Sequence, residues 1–125
     1  MDVSFFMPLI VVLIFNLGDI VTGFAQGAYT HTISSTKMRD GLWHKAGFVL
    51  LMVTAYAIDW AGTQLDLGIG VPLVVPVAVF IVLTELVSIL ENLSEMIPQL
   101  KGSRLMELFH SAKMDEMGIG DGKED

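Results

Sequence analysis

Three long apolar stretches dominate the chain, and shorter polar segments separate them. They run from about Val3 to Ala28, from about Leu42 to Ala61, and from about Val71 to Leu93. A helix needs about 20 mostly apolar residues to cross a bilayer, and each stretch is long enough. Pro72 and Pro76 stand near the beginning of the third stretch; a proline is tolerated in the first helical turn, so Pro76 predicts either a kink or a later start. The pattern predicts an all-α membrane protein with three transmembrane helices.

Polar side chains interrupt these apolar stretches at helical spacing. In the first stretch they recur every three or four residues, at Asn16, Asp19, Gly23, Gln26 and Thr30, with Thr22 beside them. The third stretch repeats this rhythm at Glu85, Ser88, Asn92 and Glu95, with Thr84 and Glu91 beside them. A sparser set in the second stretch consists of Lys45, Tyr56 and Asp59. Because successive helical residues turn by about 100°, each set stays on one side of its helix.

Four acidic residues in or near the spans are the most informative of these polar groups: Asp19, Asp59, Glu85 and Glu91. A charge near the bilayer centre costs about 2.5–3.5 kcal/mol on insertion scales, so such side chains avoid lipid. Lys45 is the one base close to the spans, and pairing with it cannot satisfy all four acids. We therefore expect that the acids are protonated, because desolvation disfavours a carboxylate, or that they line a water-filled space built by several copies.

The polar faces predict a homo-oligomer, because three helices from one copy cannot enclose a useful lumen. The positions expected to line a pore or an oligomer interface are Asn16, Asp19, Thr22, Gly23, Gln26, Asp59, Glu85, Ser88, Glu91 and Asn92. A structural alternative stays open, since Gly, Ser, Thr and Asn at this spacing also let membrane helices pack closely. Gly18, Gly23 and Gly27 serve that role in the first helix, and Asp59 is then merely close to the membrane surface.

Composition excludes several other classes of protein. The chain has 125 residues, of which 53% are hydrophobic, and its net charge is −7, which argues against a disordered chain and against a nucleic-acid partner. It has no cysteine, and its three histidines lack the spacing of metal ligands. No base is placed to activate Ser34 or Ser35, and we expect these serines to cap the second helix instead. We therefore expect neither an enzyme nor a metal or cofactor site.

Basic residues predict the orientation in the membrane. The first connection, about residues 29–45, forms a basic loop with Lys37, Arg39 and Lys45, whereas the second, about residues 62–70, has one acid and no base. By the positive-inside rule the basic loop and the basic residues after the third span are cytoplasmic, and the N-terminus is outside. A cleaved secretory signal is the rival interpretation of the first span, but no basic residue precedes its apolar run.

The chain changes character after Pro98. Ser103 is expected to cap a short amphipathic helix whose apolar side consists of Leu105, Leu108, Phe109 and Ala112. Such a helix lies on the inner membrane face or against a neighbour, and a charged tail follows it. We therefore divide the chain into a three-helix membrane region, residues 1–98, and a cytoplasmic region, residues 99–125.

Several motifs together resemble the bacteriophage holin family, which includes lysis holins of pneumococcal phages and toxin-release holins of clostridia. They are D-I-V-T-G at 19–23, I-S-S at 33–35, K-M-R-D-G at 37–41, K-A-G at 45–47, Asp59, and E-L-V-S-I-L-E-N at 85–92. Their order and separations fit over roughly residues 17–98. The family usually places a glycine after E-N, and this chain lacks it, although it keeps a proline at Pro98.

The resemblance implies a pore former of the bacterial inner membrane. Such proteins interact with lipid and with their own copies, and they release an endolysin or a toxin. Their polar faces must be hidden before assembly and face water afterwards. The resemblance also suggests collapse of the membrane potential as a trigger, since one charge crossing it is worth about 2.3 kcal/mol per 100 mV. Two alternatives remain: a small proton-coupled transporter or ion-channel subunit, and a membrane anchor whose cytoplasmic helix recruits a partner.

Overall fold

The computed structural model describes residues 2–104, 106–108 and 111. Within these residues the chain has no strand and forms helix α1 (Val3–Thr30), helix α2 (Ser35–Gln64), helix α3 (Val74–Met96) and a 3-10 turn (Pro98–Leu100). At about 1.5 Å per residue the helices are roughly 42, 45 and 35 Å long, against about 30 Å for the hydrocarbon core of a bilayer. All three are long and apolar enough to cross a membrane. The predicted all-α fold with three spans is confirmed.

Helix α1 is capped at both ends. At its start, Asp2 accepts hydrogen bonds from Ser4 Oγ at 2.9 Å and from Ser4 N at 3.3 Å. The side-chain hydrogen bond, and after it the backbone one, lower the pKa of the Asp2 carboxyl because they stabilise its ionised form. At the end of α1, His31 is left-handed, with φ 57°, and Thr32 N donates to Gly27 O at 2.8 Å. This arrangement is typical of a helix C-terminus.

Helix α2 begins earlier than its apolar stretch, at Ser35. Ser34 Oγ accepts a hydrogen bond from Lys37 N at 3.3 Å, which confirms the predicted serine cap. The connection between α1 and α2 is therefore only residues 31–34, and the prediction that Lys37, Arg39 and Lys45 lie in a loop is wrong, because all three are on α2. Hydropathy marks the part of a helix that lipid can cover, whereas the helix itself continues into polar sequence as far as its cap.

Helix α3 begins at Val74, after Pro72 and with Pro76 as its third residue. The first N–H groups of a helix have no partner inside it, so a proline in the first turn removes no internal hydrogen bond. Of the two predicted outcomes for Pro76, a kink or a later start, the structure shows the later start.

The bundle is held mainly by α1 against α3, and α2 contacts both. Its buried apolar core consists of Val12, Phe48, Met52, Ala55, Val74, Ala78 and Ile81. Two glycines of α1 bring it close to α3: a Cβ at Gly18 would lie 3.1 Å from Ile89 Cδ1, and a Cβ at Gly23 would lie 3.5 Å from Asn92 Nδ2. Small residues therefore do permit close packing of these two helices.

Most apolar side chains point outward. In the most apolar 18-residue segment of α1, and likewise of α2, only 11% is buried. The corresponding share for α3, the central helix, is 33%. Trp43, Leu50 and Trp60 are 72%, 67% and 64% exposed. Apolar surface of this extent marks a protein that is covered by lipid or by a partner rather than by water.

The segment after α3 starts as predicted. Ser103 Oγ accepts a hydrogen bond from Met106 N at 3.3 Å, and Ser103 O accepts one from Glu107 N at 3.1 Å, so Ser103 caps a helical turn. Leu108 is 63% exposed. The other positions of the predicted apolar side, Leu105, Phe109 and Ala112, lie outside the described residues. The amphipathic character of this helix and the division at residue 98 therefore stay predictions.

Candidate functional site

A buried cluster of three charged residues, one from each helix, lies between the helices. Lys45 Nζ is 2.6 Å from Asp19 Oδ2 and 3.1 Å from Glu85 Oε2. The three side chains are 11%, 17% and 3% exposed, respectively. We call Asp19, Lys45 and Glu85 the ion cluster. Because its members come from α1, α2 and α3, the cluster links the whole bundle through charge.

The ion cluster lies far from both ends of the spans. Glu85 is the middle residue of α3, with as many residues before it as after it. At about 1.5 Å per residue, it is roughly 16 Å from either end of that helix. A helix that crosses a bilayer therefore places Glu85 near the midplane, where an unpaired charge is least favourable.

Hydrogen bonds extend the cluster along α1 and α3. Asn92 Nδ2 donates to Asp19 Oδ1 at 2.9 Å and lies 3.0 Å from Thr22 Oγ1. The Thr22 hydroxyl in turn donates to Gly18 O at 2.9 Å. Asp19 therefore has a donor on each carboxylate oxygen, Lys45 on one and Asn92 on the other, which fixes its side chain in position.

Within one chain, the positive charge of Lys45 lies close to the negative charges of both Asp19 and Glu85. Lys45 bridges two of the four acids, which belong to different helices, and the expectation that the acids need sister copies or protonation stays a prediction. Lys45 shares its helix face with the buried residues Phe48, Met52 and Ala55, at spacings of three and four. That periodicity was the signal in the sequence that Lys45 points into the bundle.

Asp59 has a separate role at the opposite end of the bundle from the turn between α1 and α2. Its carboxylate accepts hydrogen bonds from Leu73 N, at 2.8 and 2.9 Å, and from Val74 N, at 3.0 Å. These are the unpaired N–H groups at the start of α3, where the helix dipole favours a negative charge. Because Leu73 offers no side-chain cap, Asp59 of α2 caps α3 from outside. Sequence reasoning missed this tertiary contact.

Two further predicted positions make hydrogen bonds along their own helices. Gln26 O accepts from the Thr30 hydroxyl at 2.9 Å, and the Ser88 hydroxyl donates to Thr84 O at 3.2 Å. Such bonds satisfy a hydroxyl in an apolar environment without an external partner.

The three remaining predicted positions differ in burial. Asn16 is only 5% exposed, and its Oδ1 accepts no hydrogen bond from the described residues. Gly23 lies against Asn92 between α1 and α3. Glu91 is on the exposed side of α3. Whether any of the predicted positions lines a pore or an oligomer interface stays a prediction.

A cleft leads from the turn at residues 31–34 to the ion cluster. It has a volume of about 290 Å³ and runs between α1 and the first half of α2. Ser34 and Lys37 line it near the turn, whereas Asp19, Lys45 and Asn92 line it at the depth of the cluster. We call it the turn-side cleft. Its polar walls connect the buried charges with one end of the bundle.

Three membrane-length helices around a buried ion cluster define a small multi-pass membrane protein. A sequence model described as the bacteriophage holin family matches residues 4–111, and the chain belongs to this family. The family consists of membrane pore formers without enzymatic activity. Neither the curated proteins nor the solved structures contain a significant match. The match confirms the family that the sequence motifs resembled.

Proposed function

We propose that the protein is a holin that assembles into an oligomeric pore in the bacterial inner membrane and releases an endolysin or a toxin. Membership in a family of pore formers supports this function. The observation that carries it is the ion cluster, because the single chain keeps the charges of Asp19, Lys45 and Glu85 between its helices while many apolar side chains face outward. Such a molecule can accumulate in lipid without perforating it.

The single chain represents the closed form in this proposal. Its three helices pack on one another around the core, and the cleft of about 290 Å³ is far too small for a protein to pass. A pore must therefore be built by several copies whose polar faces turn toward water. For that to happen, α1, α2 and α3 must separate in part, and Lys45 must give up at least one carboxylate.

The orientation that we propose places the N-terminus outside and the turn at residues 31–34 in the cytoplasm. Lys37 and Arg39 lie in the first turns of α2, next to that turn, and Lys101 follows α3. With α1 and α3 crossing in the same direction, these bases share one end of the bundle. The connection between α2 and α3, residues 65–73, contains no base. This distribution supports a cytoplasmic turn by the positive-inside rule.

Two substitutions of the ion cluster test the proposal. Glu85→Leu leaves Lys45 paired with Asp19, so the closed form keeps its charge balance while the water-facing side of a pore loses a polar group. We expect delayed or absent release of a cytoplasmic reporter enzyme from induced cells, and the same for Asp19→Leu. Glu95→Leu is the matched control, since Glu95 is 44% exposed and pairs with Lys101 at 3.2 Å. Normal release by both cluster variants would refute the proposal.

A proton-coupled transporter or ion-channel subunit is the second candidate, because the turn-side cleft gives the ion cluster a route to one side. The size of the permeating molecule separates the two functions. Vesicles that contain the purified protein should release a trapped protein if it is a holin. Loss of small ions alone, with the trapped protein retained, would favour the transporter or channel.

A further inference from the structure

We propose that the connection between α2 and α3, residues 65–73, lies in the interfacial layer of the bilayer and anchors that end of the bundle to lipid. We call these residues the interfacial loop. The inference goes beyond the proposed function, because insertion of the loop into lipid requires neither a pore nor a cargo. Only the name of the leaflet, the outer one, depends on the proposed orientation. Failure of the loop to insert is therefore distinguishable from failure to form pores.

Apolar side chains alternate along the interfacial loop with small or polar residues. Every second position is apolar, namely Leu65, Leu67, Ile69, Val71 and Leu73. The positions between them are Asp66, Gly68, Gly70 and Pro72. The first four of these apolar side chains are between 48% and 65% exposed. Four exposed apolar side chains so close together form a patch, and such a patch marks a surface that contacts lipid or another protein.

The middle of the interfacial loop does not pack onto the bundle. A Cβ at Gly68 or at Gly70 would meet no atom of the described chain within 4 Å beyond its own neighbours. Asp66 Oδ1 accepts a hydrogen bond from Gly68 N at 3.4 Å, which is a contact inside the loop. At the last residue of the loop, Leu73 N donates to the Asp59 carboxylate at 2.8 Å. The loop is therefore tied to the bundle at its end, and its apolar side chains face the surroundings.

The path of the chain keeps the interfacial loop close to the membrane. Asp59 of α2 is level with the start of α3, because its carboxylate also accepts a hydrogen bond from Val74 N at 3.0 Å. Helix α2 continues beyond Asp59 as far as Gln64, which is about 7.5 Å at 1.5 Å per residue. The loop must return over this distance to reach Val74. Since the interfacial layer of a bilayer is roughly 5–8 Å thick on each side, the loop lies within or next to it.

The neighbouring surface indicates that lipid covers the loop. Trp60, next to Asp59, is 64% exposed, and tryptophan is enriched where a membrane meets water. On the other side of the loop, Val75 and Val79 of α3 are 57% and 40% exposed. They belong to a helix that is long and apolar enough to cross the membrane. The apolar surface of the loop therefore continues a surface that lipid covers.

The interfacial loop is suited to the boundary layer and not to the hydrocarbon core. Residues 65–73 form neither helix nor strand, so their N–H and C=O groups need water, which the core lacks. Asp66 adds a charge, which is unfavourable in the core. With the backbone and Asp66 among the headgroups, the apolar side chains reach the acyl chains. The loop thereby fixes the depth of this end of α2 and α3.

Spin labelling of the full chain in sealed vesicles at a high lipid-to-protein ratio tests the inference. The chain contains no cysteine, so a single cysteine in Leu67→Cys or Ile69→Cys is labelled selectively. We expect both labels to collide more often with oxygen, which concentrates in lipid, than with a water-soluble nickel chelate. Asp66→Cys is the matched control from the same loop, and its label should collide more often with the nickel chelate. Helical circular dichroism of each labelled variant verifies that the three helices are retained.

Two outcomes of the labelling would overturn the inference. A preference of all three labels for the nickel chelate would place the loop in water. Low collision rates with both reagents at Leu67→Cys, together with spin–spin broadening that dilution by unlabelled protein removes, would identify a second copy of the chain as the partner instead of lipid.

A separate measurement leaves the interfacial loop unchanged. Trp43→Phe leaves Trp60 as the single tryptophan of the chain. Its fluorescence should be quenched most strongly by lipids that carry bromine close to the headgroup, because Trp60 marks the interfacial layer. Strongest quenching by bromine at the ends of the acyl chains would place this end of the bundle in the hydrocarbon core and contradict the inference.

Discussion

Replacement of Lys45 by methionine removes the one cation of the ion cluster and keeps most of the side-chain volume. Lys45 is 9% exposed and lies within 3.1 Å of both Asp19 and Glu85. Removal of one partner from a buried ion pair typically destabilises a protein by about 3–5 kcal/mol, because a buried charge is left without compensation. We expect Lys45→Met to lower the free energy of unfolding by about that amount. Unfolding by sodium dodecyl sulfate in mixed micelles, followed by helical circular dichroism, measures it.

The same substitution has a functional consequence under the proposed mechanism. It destabilises the closed form, so release of a cytoplasmic enzyme from induced cells should begin earlier than in the wild type. Lys101→Met is the matched control, since Lys101 also pairs with a glutamate, Glu95, but its side chain is 58% exposed. An exposed pair is worth only about 0–1 kcal/mol. Equal unfolding curves for the two lysine variants would refute the view that the ion cluster stabilises the bundle.

Three further predictions concern the caps and the close contact of α1 with α3. Asp59→Ala should lower the free energy of unfolding by about 1 kcal/mol, since it removes the cap of α3, and Asp59→Asn should have a smaller effect in the same unfolding assay. Gly18→Leu should lower the free energy of unfolding by about 1–3 kcal/mol, because the new side chain would collide with Ile89. Gly47→Leu is the control and should lower it little, since nothing lies within 4 Å of a Cβ at that position. Similar losses for the two variants would contradict the close contact of α1 with α3. Because the pKa of the Asp2 carboxyl is lowered, its carboxylate stabilises α1 fully at pH values above the ordinary pKa of 3.8. This stabilisation is lost as the pH falls through the lowered pKa. Amide exchange at the start of α1 should therefore accelerate in acid, and Asp2→Asn should remove that pH dependence.

The caps show how far local reasoning reaches. Ser34 and Ser103 were identifiable because a serine cap binds an N–H group only three residues further along the chain. The cap of α3 could not be identified in this way, because Asp59 is fourteen residues away from Leu73 and belongs to the preceding helix. Its contact depends on how α2 and α3 pack, and no local pattern contains that information.

The charged residues show the same limit. Asp19 and Glu85 were recognisable as buried acids because a charge inside an apolar span is visible in the sequence. Lys45 was counted both in the basic loop and in the polar set of the second stretch, and its spacing to Phe48 and Met52 places it on the buried side of α2. The partners of these groups follow from the register of three helices, which the tertiary structure alone supplies.

The sequence by itself determined that the chain has three segments long and apolar enough to cross a membrane, and its motifs indicated the family to which it belongs. Both are local properties, because transfer of a segment into lipid depends on its own length and apolar composition. Only the tertiary structure decided that one lysine bridges two acids, that Asp59 caps α3, and that a cleft connects the buried charges with one end of the bundle. Electrostatic pairing depends on distances of a few ångströms between different helices, and these distances exist only once the helices have packed.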